Sequence, residues 1–415
     1  MIKILSWSFV ATVIKMISSL VITKLSSVIL GPSGYALIGN LNNIISIFTG
    51  VSTAGVNNGV VRYTSELKGT KEFNVYIANA LKLTFFALFI NIAVMVLFSG
   101  YLSEITLLDR SYYYLFYFLS INILITTLVG FMLSILNGLQ YYRKFFIFNI
   151  IINVVSAVYI IFLLYNFKIW GAYFGTVTLQ LFSGFFLYFI VKASEISLKE
   201  IWSEKVDFAI VKKLLSYSVM FLFSTFALPS VQILVRNKII HTLSLTDAGL
   251  WDGITKISGF YAGIVTTSLS FYLLPKLSEL KKDSDVKAFL FSVYKPVVPI
   301  LLLSIVLFII FKQFIIYVIL SPEFYPSQDL LPWQFLGDCF KILSWILAFQ
   351  MLSNANVKTY LLTELAFSLC LYFSSLLLIP EFGIKGATYA YVISYILYFL
   401  IMVFIYRKML FGKTI

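Results

Sequence analysis

The sequence predicts an all-α polytopic membrane protein, with about twelve transmembrane helices in two pseudo-symmetric six-helix bundles around a central cationic cavity. Three observations predict it. First, the 415 residues are 60% hydrophobic and only 12% charged, with a mean hydropathy of +0.95. A soluble domain carries far more charge. Second, apolar runs of roughly twenty residues recur from end to end, each long enough to cross about 30 Å of hydrocarbon. Third, a polar stripe follows segments that otherwise belong in lipid. Gly39, Asn42, Asn43, Ser46, Gly50, Thr53 and Asn57 recur mostly at spacings of three and four, which puts them on one helical face. About 214 residues later, at the distance of a repeat, Gly253, Lys256, Gly259, Gly263, Thr267 and Ser270 draw a similar face. Lipid does not accept such faces, so both are expected to line a water-filled interior. A transmembrane barrel would show short alternating strands instead.

The spans run approximately 4–30, 35–62, 76–99, 112–139, 143–166, 171–193, 211–240, 246–275, 286–312, 328–354, 357–379 and 384–408. Short turns with breakers such as Gly31-Pro32-Ser33-Gly34 separate them. The first stretch, from Ile4 to Leu30, is too long for a signal-peptide core and reads as a retained helix. The net charge is +13. The basic residues punctuate apolar spans, so topology explains them better than nucleic acid does. Lys68 and Lys71, Arg143 and Lys144, Lys199 through Lys213, Lys276 through Lys287, and Arg407 and Lys408 fall on one side. The opposite loops hold Arg110, Lys168, Lys312 and Lys385. Both termini are therefore expected in the cytosol.

The same pattern divides the chain into a bundle at 1–193, a cytosolic linker at 194–210 and a second bundle at 211–415. The halves look like parallel repeats. Ser65-Glu66-Leu67-Lys68 matches Ser278-Glu279-Leu280-Lys281, and Trp170-Gly171-Ala172 matches Lys385-Gly386-Ala387 at a nearly constant offset. A membrane protein with a polar interior and two matched halves is most simply a transporter, with its substrate between the halves.

Lys15, Lys24, Lys82, Arg236, Lys238, Lys256 and Lys341 fall inside or at the edges of spans. A mid-membrane charge costs about 3 kcal/mol on insertion scales. Lys24 aligns with Lys238, next to Arg236, and Asn42 aligns with Lys256, so cationic character gathers at one level of the cavity. Arg236 is the leading anion ligand, because a planar guanidinium suits bidentate phosphate recognition. Lys15 and Lys24 are nine residues apart, which sets them on opposite sides of one helix, and Lys24 is favoured over Lys15. Asp252 and Lys256, at i,i+4, read either as a neutralising pair or as separate cavity charges, and so do Asp338 and Lys341 at i,i+3. Glu364 reads either as a partner for a nearby lysine or as a coupling site for a proton or cation. Pro229, Pro296 and Pro299 are expected to bend or loosen their helices.

Other chemistries find little support. Gly412-Lys413-Thr414 resembles the end of a phosphate loop but lacks the glycine required before it and any helix after it. The single histidine, His241, cannot build a zinc cluster. Cys339 and Cys370 fall within spans and do not suggest a disulfide framework. The short outer loops leave little room for an external catalytic domain, so no enzyme activity and no cofactor are expected.

Several blocks carry a resemblance. Trp7 to Lys24 followed by Gly31-Pro32-Ser33-Gly34 is similar to the opening of bacterial O-antigen translocases. Gly249-Leu250-Trp251-Asp252-Gly253, Lys256-Ile257-Ser258 and Ser270 through Ser278 make the match specific. Trp333 through Asp338 with Lys341, and then Glu364, look like further family blocks. Together they resemble the flippases for O-antigen units and for lipid III of enterobacterial common antigen, within the multidrug/oligosaccharidyl-lipid/polysaccharide exporter superfamily. The resemblance implies a multi-pass protein of the bacterial inner membrane, working beside a polysaccharide polymerase and a chain-length regulator. It implies an undecaprenyl-pyrophosphate-linked oligosaccharide as substrate, moved from the cytosolic to the periplasmic leaflet by alternating access. Asp252 and Lys256 depart from the lipid III branch, so a strain-specific O-unit stands beside lipid III. On this reading Arg236, Lys24, Lys256 and Lys15 meet the pyrophosphate, and Asn42, Asn43 and Asn57 meet sugar. Glu364, Asp338, Lys341 and Asp252 pair with one another or couple transport to a proton gradient, a sodium gradient or the membrane potential. The alternative is a small-molecule exporter of the same fold, whose cavity for cationic drugs would be acidic rather than basic.

Overall fold

The computed structural model describes residues 2–70, 72–280, 282–354 and 356–411. Lys71 and Lys281 of the expected cytosolic cations, and the Gly412-Lys413-Thr414 segment, lie outside these residues. All regular structure in the described residues is helical, as it must be where hydrocarbon offers the backbone no water to bond.

The first half contains α1 (Ile2–Ser52), α2 (Asn57–Glu66), α3 (Glu72–Leu97), α4 (Ser99–Leu107), α5 (Tyr114–Gly138), α6 (Tyr142–Thr178), α7 (Ser183–Ser194) and α8 (Leu198–Ser203). The second contains α9 (Phe208–Thr242), α10 (Leu245–Glu279), α11 (Asp283–Ile310), α12 (Lys312–Ile319), α13 (Leu331–Ser353), α14 (Val357–Phe382), α15 (Ile384–Ile405) and α16 (Arg407–Phe411). Among the described residues, 10 helical stretches are long and apolar enough to cross a membrane. Two are much longer than one crossing needs, Phe9–Glu66 and Tyr142–Ser194. Both are broken. Gly31 sits at φ 62° and ψ −176° ahead of Pro32 in α1, and Lys168 at φ 48° and ψ −122° in α6.

By packing, the chain divides into two units. One holds residues up to Leu30 together with Leu37–Ser230, and the other holds Gly31–Ala36 with Val231–Ile415. The division falls inside α9, beyond the 194–210 segment, and the first unit's own contacts explain why. The buried Asn79 of α3 gives its amide to the Lys205 carbonyl and takes the Asp207 N–H at 2.7 Å. The Lys82 ammonium donates to the Glu204 carbonyl and faces the Trp202 ring. The linker is thereby fastened to α3. The early turns of α9 then close on α1: a methyl group built on Gly50 would sit 1.9 Å from Thr225 Cγ2. In the first unit, α5 packs against α2, α3, α6 and α7.

In the second unit α13 packs against α10, α11 and α15, and α14 packs against α15. The short Gly31–Ala36 segment joins this unit. Ser33 and Thr246 share a hydroxyl hydrogen bond of 2.9 Å, and Tyr35 meets Phe324 edge-on at 5.6 Å.

The repeat read from Trp170-Gly171-Ala172 and Lys385-Gly386-Ala387 has a local structural counterpart. Both motifs follow a left-handed break, Lys168 in one unit and Gly383 (φ 60°) in the other. A methyl on Gly171 would lie 1.9 Å from the Leu163 carbonyl oxygen, and one on Gly386 would lie 2.1 Å from that of Leu378. Each glycine lets two successive helices turn against their own backbone, and no other residue fits there.

The tightest approach in the second unit is at α10, where a methyl on Gly249 would fall 1.7 Å from the Pro32 carbonyl oxygen. Backbone cannot rotate away, so Gly249→Ala should destabilise the protein by about 1–3 kcal/mol. Thermal unfolding in detergent checks this; an unchanged midpoint would contradict the close approach.

Candidate functional site

The stripe predicted on α10 is present and open over much of its length. Lys256, Gly259, Gly263 and Thr267 are all exposed. A methyl group on Gly259 or Gly263 would meet nothing within 4 Å. Its ends are more enclosed. Gly253 is buried against Phe324 and Leu320, where a methyl would come within 2.7 and 2.8 Å, and Ser270 is half-buried. The stripe on α1 is divided. Asn42 and Ser46 are exposed, whereas Gly50 and Thr53 are buried in helix packing. Asn43 and Asn57 are half-buried, and Asn43 Nδ2 and Asn57 Oδ1 have no hydrogen-bond partner among the described residues. Close-packed helices and water-lined channels both select small and polar residues, so one sequence pattern served two purposes.

Arg236 lies near the end of α9 and Asp252 in the second turn of α10, after the chain reverses through 243–244. Arg236 Nε donates to Asp252 Oδ2 at 2.6 Å, and Nη2 donates to Oδ1 at 2.5 Å. Both residues are buried, at 3% and 5% exposure, and the Trp251 ring lies 5.6 Å from the guanidinium carbon. Asp252 is therefore matched by the fork of Arg236, and Lys256 holds no ion pair within 4 Å among the described residues. A guanidinium offers two parallel N–H groups to a carboxylate, which one ammonium cannot do. The Lys256 ammonium instead lies 5.6 Å from the Phe260 ring. The cation that Arg236 was expected to present to an anion is engaged inside the protein. The exposed cation on this face is Lys256.

A second cluster lies among α10, α13, α14 and α15. Asp338 is fully buried. Its carboxylate accepts from Ser258 Oγ at 2.6 Å, from the Tyr261 hydroxyl at 2.5 Å and from the Tyr391 hydroxyl at 2.7 Å. Lys341 makes no ion pair within 4 Å among the described residues, yet it is near enough to Asp338 and Glu364 to interact with both charges. Its ammonium lies 5.3 Å from the Trp345 ring and 5.7 Å from Tyr395. The i,i+3 spacing of Asp338 and Lys341 puts them near each other, but hydroxyls from two other helices complete the carboxylate. Sequence reasoning missed Ser258, Tyr261, Tyr391 and Tyr395. The i, i+4, i+7 spacing of Tyr391, Tyr395 and Tyr398 was the available signal.

In the second unit, then, the structure brings Arg236, Asp252 and Lys256 into one group and Asp338, Lys341 and Glu364 into another. Lys15 is exposed and Lys24 half-buried on α1, in the first unit with Asn42, Asn43 and Asn57.

Buried charge clusters and an open polar stripe inside long apolar helices define a multi-pass membrane protein of transporter type. Comparison with solved structures shows the fold. A multidrug resistance MATE family transporter of the MOP superfamily, inward-facing, superposes with a TM-score of 0.70 at 11% identity over 96% of each chain. The lipid II flippase MurJ in an inward closed conformation superposes at 0.67, with 18% identity over 98% of this chain and 88% of that one. Residues 2–281 match the Polysaccharide biosynthesis protein family, and the chain belongs to it. It is also similar to the lipid III flippases of Escherichia coli (strain K12) and Shigella flexneri, 27% identical over 409 residues and 95% of each chain.

Arg236→Ala leaves Asp252 buried without its partner, so it should destabilise the protein by about 3–5 kcal/mol. The double variant Arg236→Ala/Asp252→Ala should recover much of that loss. Melting of the purified variants measures both; equal melting of Arg236→Ala and wild type would contradict the pairing.

Proposed function

We propose that the protein is a flippase that carries an undecaprenyl-pyrophosphate-linked oligosaccharide from the cytosolic to the periplasmic leaflet of the bacterial inner membrane by alternating access. The open stripe from Lys256 to Thr267, in a helix whose length and composition belong in lipid, carries this reading. A polar face of that kind has no use against acyl chains. The full-length likeness to the lipid III flippases supports the substrate class. The glycan is an O-antigen unit or lipid III. Counting Phe9–Glu66 and Tyr142–Ser194 as two spans each gives twelve, six on each side of 194–210, with both termini in the cytosol.

The physical task is a sugar head carrying pyrophosphate, which hydrocarbon does not admit unaided. Lys256, which makes no ion pair within 4 Å among the described residues, is the proposed cationic contact for the pyrophosphate. Asn42, with Asn43 and Asn57, offers amides to sugar hydroxyls. Arg236 has a different role in this conformation: bound to Asp252, it holds the end of α9 to the start of α10. The polyprenyl tail stays in lipid. An inside-negative potential favours outward release of the anionic head, by about 2.3 kcal/mol per charge per 100 mV where the whole field is crossed. An exporter of cationic drugs would need an open acid here, and Asp252 is occupied by Arg236.

Deleting the gene in its host should abolish the surface glycan while lipid-linked units accumulate on the cytosolic side. Lys256→Gln, at normal protein level, should lower export about tenfold or more, the loss of one charge-assisted contact to phosphate. Full export in that variant would contradict the assignment of Lys256.

A further inference from the structure

Beside the linker, the first unit holds an apolar hollow of about 460 Å³, within the size range of small-ligand pockets. Its walls come from α3, α5, α7 and α8, and Phe85, Phe131, Met132, Leu187 and Trp202 are among the side chains that line it. Lys199 of α8 is the one charged residue in that lining among the described residues. It is exposed and makes no ion pair within 4 Å among the described residues. Glu195, four residues earlier, lies 3.2 Å from the Lys144 ammonium instead.

The short helix α8 frames the hollow. Leu198, Ile201 and Trp202 share one of its faces, and Ile201 is fully buried. Trp202 meets Phe85 edge-on at 5.5 Å, and the Lys82 ammonium lies 5.8 Å from the same indole ring. Tryptophan favours the boundary between membrane and water. Its exposed ring therefore sets α8 at the depth of the lipid headgroups. Lys199 then stands among phosphates, and the apolar walls reach into the acyl region below. A helix surface that merely faces bulk lipid needs neither a hollow nor a cation at its mouth. This one has both.

We infer that the hollow is a binding site for one anionic glycerophospholipid of the inner leaflet, with one acyl chain seated against the apolar walls and the phosphate on Lys199. The cytosolic leaflet carries the anionic lipids that such a lysine attracts. A zwitterionic lipid brings its own cation to the phosphate and gains less from Lys199. An undecaprenyl chain is much longer than a phospholipid acyl chain, so the hollow encloses only part of it. The bound lipid touches α3, α5, α7 and α8 together, so the composition of the leaflet bears on how firmly the linker is held to the first unit. The inference goes beyond the transport reading and takes from it only that this end of the bundle faces the cytosol. Its test needs no translocation and no glycan.

The experiment places the full-length protein in phosphatidylcholine liposomes with a trace of phosphatidylglycerol that carries a photoactivatable group on its acyl chain. After irradiation, mass spectrometry identifies the labelled peptides. Label should concentrate on the peptides that hold Phe131, Met132 and Leu187. Lys199→Gln should cut it about tenfold, the loss of one charge-assisted contact to phosphate. Leu187→Trp, which fills the hollow, should remove it, with the melting midpoint of each variant confirming the fold. Unlabelled phosphatidylglycerol should compete with the probe, and undecaprenyl phosphate should compete less well. Label spread evenly over lipid-facing helices such as α11, labelling unchanged in folded Lys199→Gln, or displacement by undecaprenyl phosphate ahead of phosphatidylglycerol would overturn the inference.

Discussion

In hydrocarbon, an unmatched charge or backbone dipole finds no water to bond, and that constraint governs this protein at every level. It makes all regular structure of the described residues helical, since helices satisfy their own peptide groups. It gives Arg236 a buried carboxylate on Nε and Nη2. It surrounds Asp338 with three hydroxyls from two other helices. It sends the Lys82 ammonium to the Glu204 carbonyl, so that a charge inside a membrane helix becomes the fastening point of the linker. Among the described residues, Lys256 is the exposed cation on the open face that makes no ion pair within 4 Å, and it is then the informative one.

Packing imposes a second constraint where helices come closer than a side chain allows. Gly249 meets the backbone of Pro32, Gly50 meets Thr225, and Gly171 and Gly386 each meet a carbonyl eight residues earlier in their own chain. Transmembrane helices gain little from burying apolar surface against lipid, so close backbone contact carries much of their association. The matched pair Gly171 and Gly386, each after a left-handed residue, shows that the repeat in the sequence preserves a way of turning the chain and not merely a run of similar letters.

The membrane class, most span positions and the α10 stripe were legible in the sequence, because they depend on composition and period alone. Which charges pair was not. The i,i+4 rule offered Lys256 to Asp252, but the winning partner, Arg236, is 16 residues away across a helix reversal. Local spacing cannot see that reversal, nor can it weigh a bidentate fork against a single ammonium. The α1 stripe failed differently: Asn42 and Ser46 are open, while Gly50 and Thr53 of the same face are packed against a neighbour. Small and polar residues serve both ends, and only tertiary contact separates them.

The proposed activity rests on a family, a fold and an open cationic face, and translocation itself is the claim to measure. The purified protein would be placed in liposomes holding an undecaprenyl-pyrophosphate-linked oligosaccharide, and leaflet accessibility of the sugar followed with and without an imposed potential and pH gradient. Protein-dependent movement of the sugar head, faster when the gradient is imposed, is the predicted result. No movement across a panel of glycans, under the same gradients and with protein shown to be folded, would contradict the account.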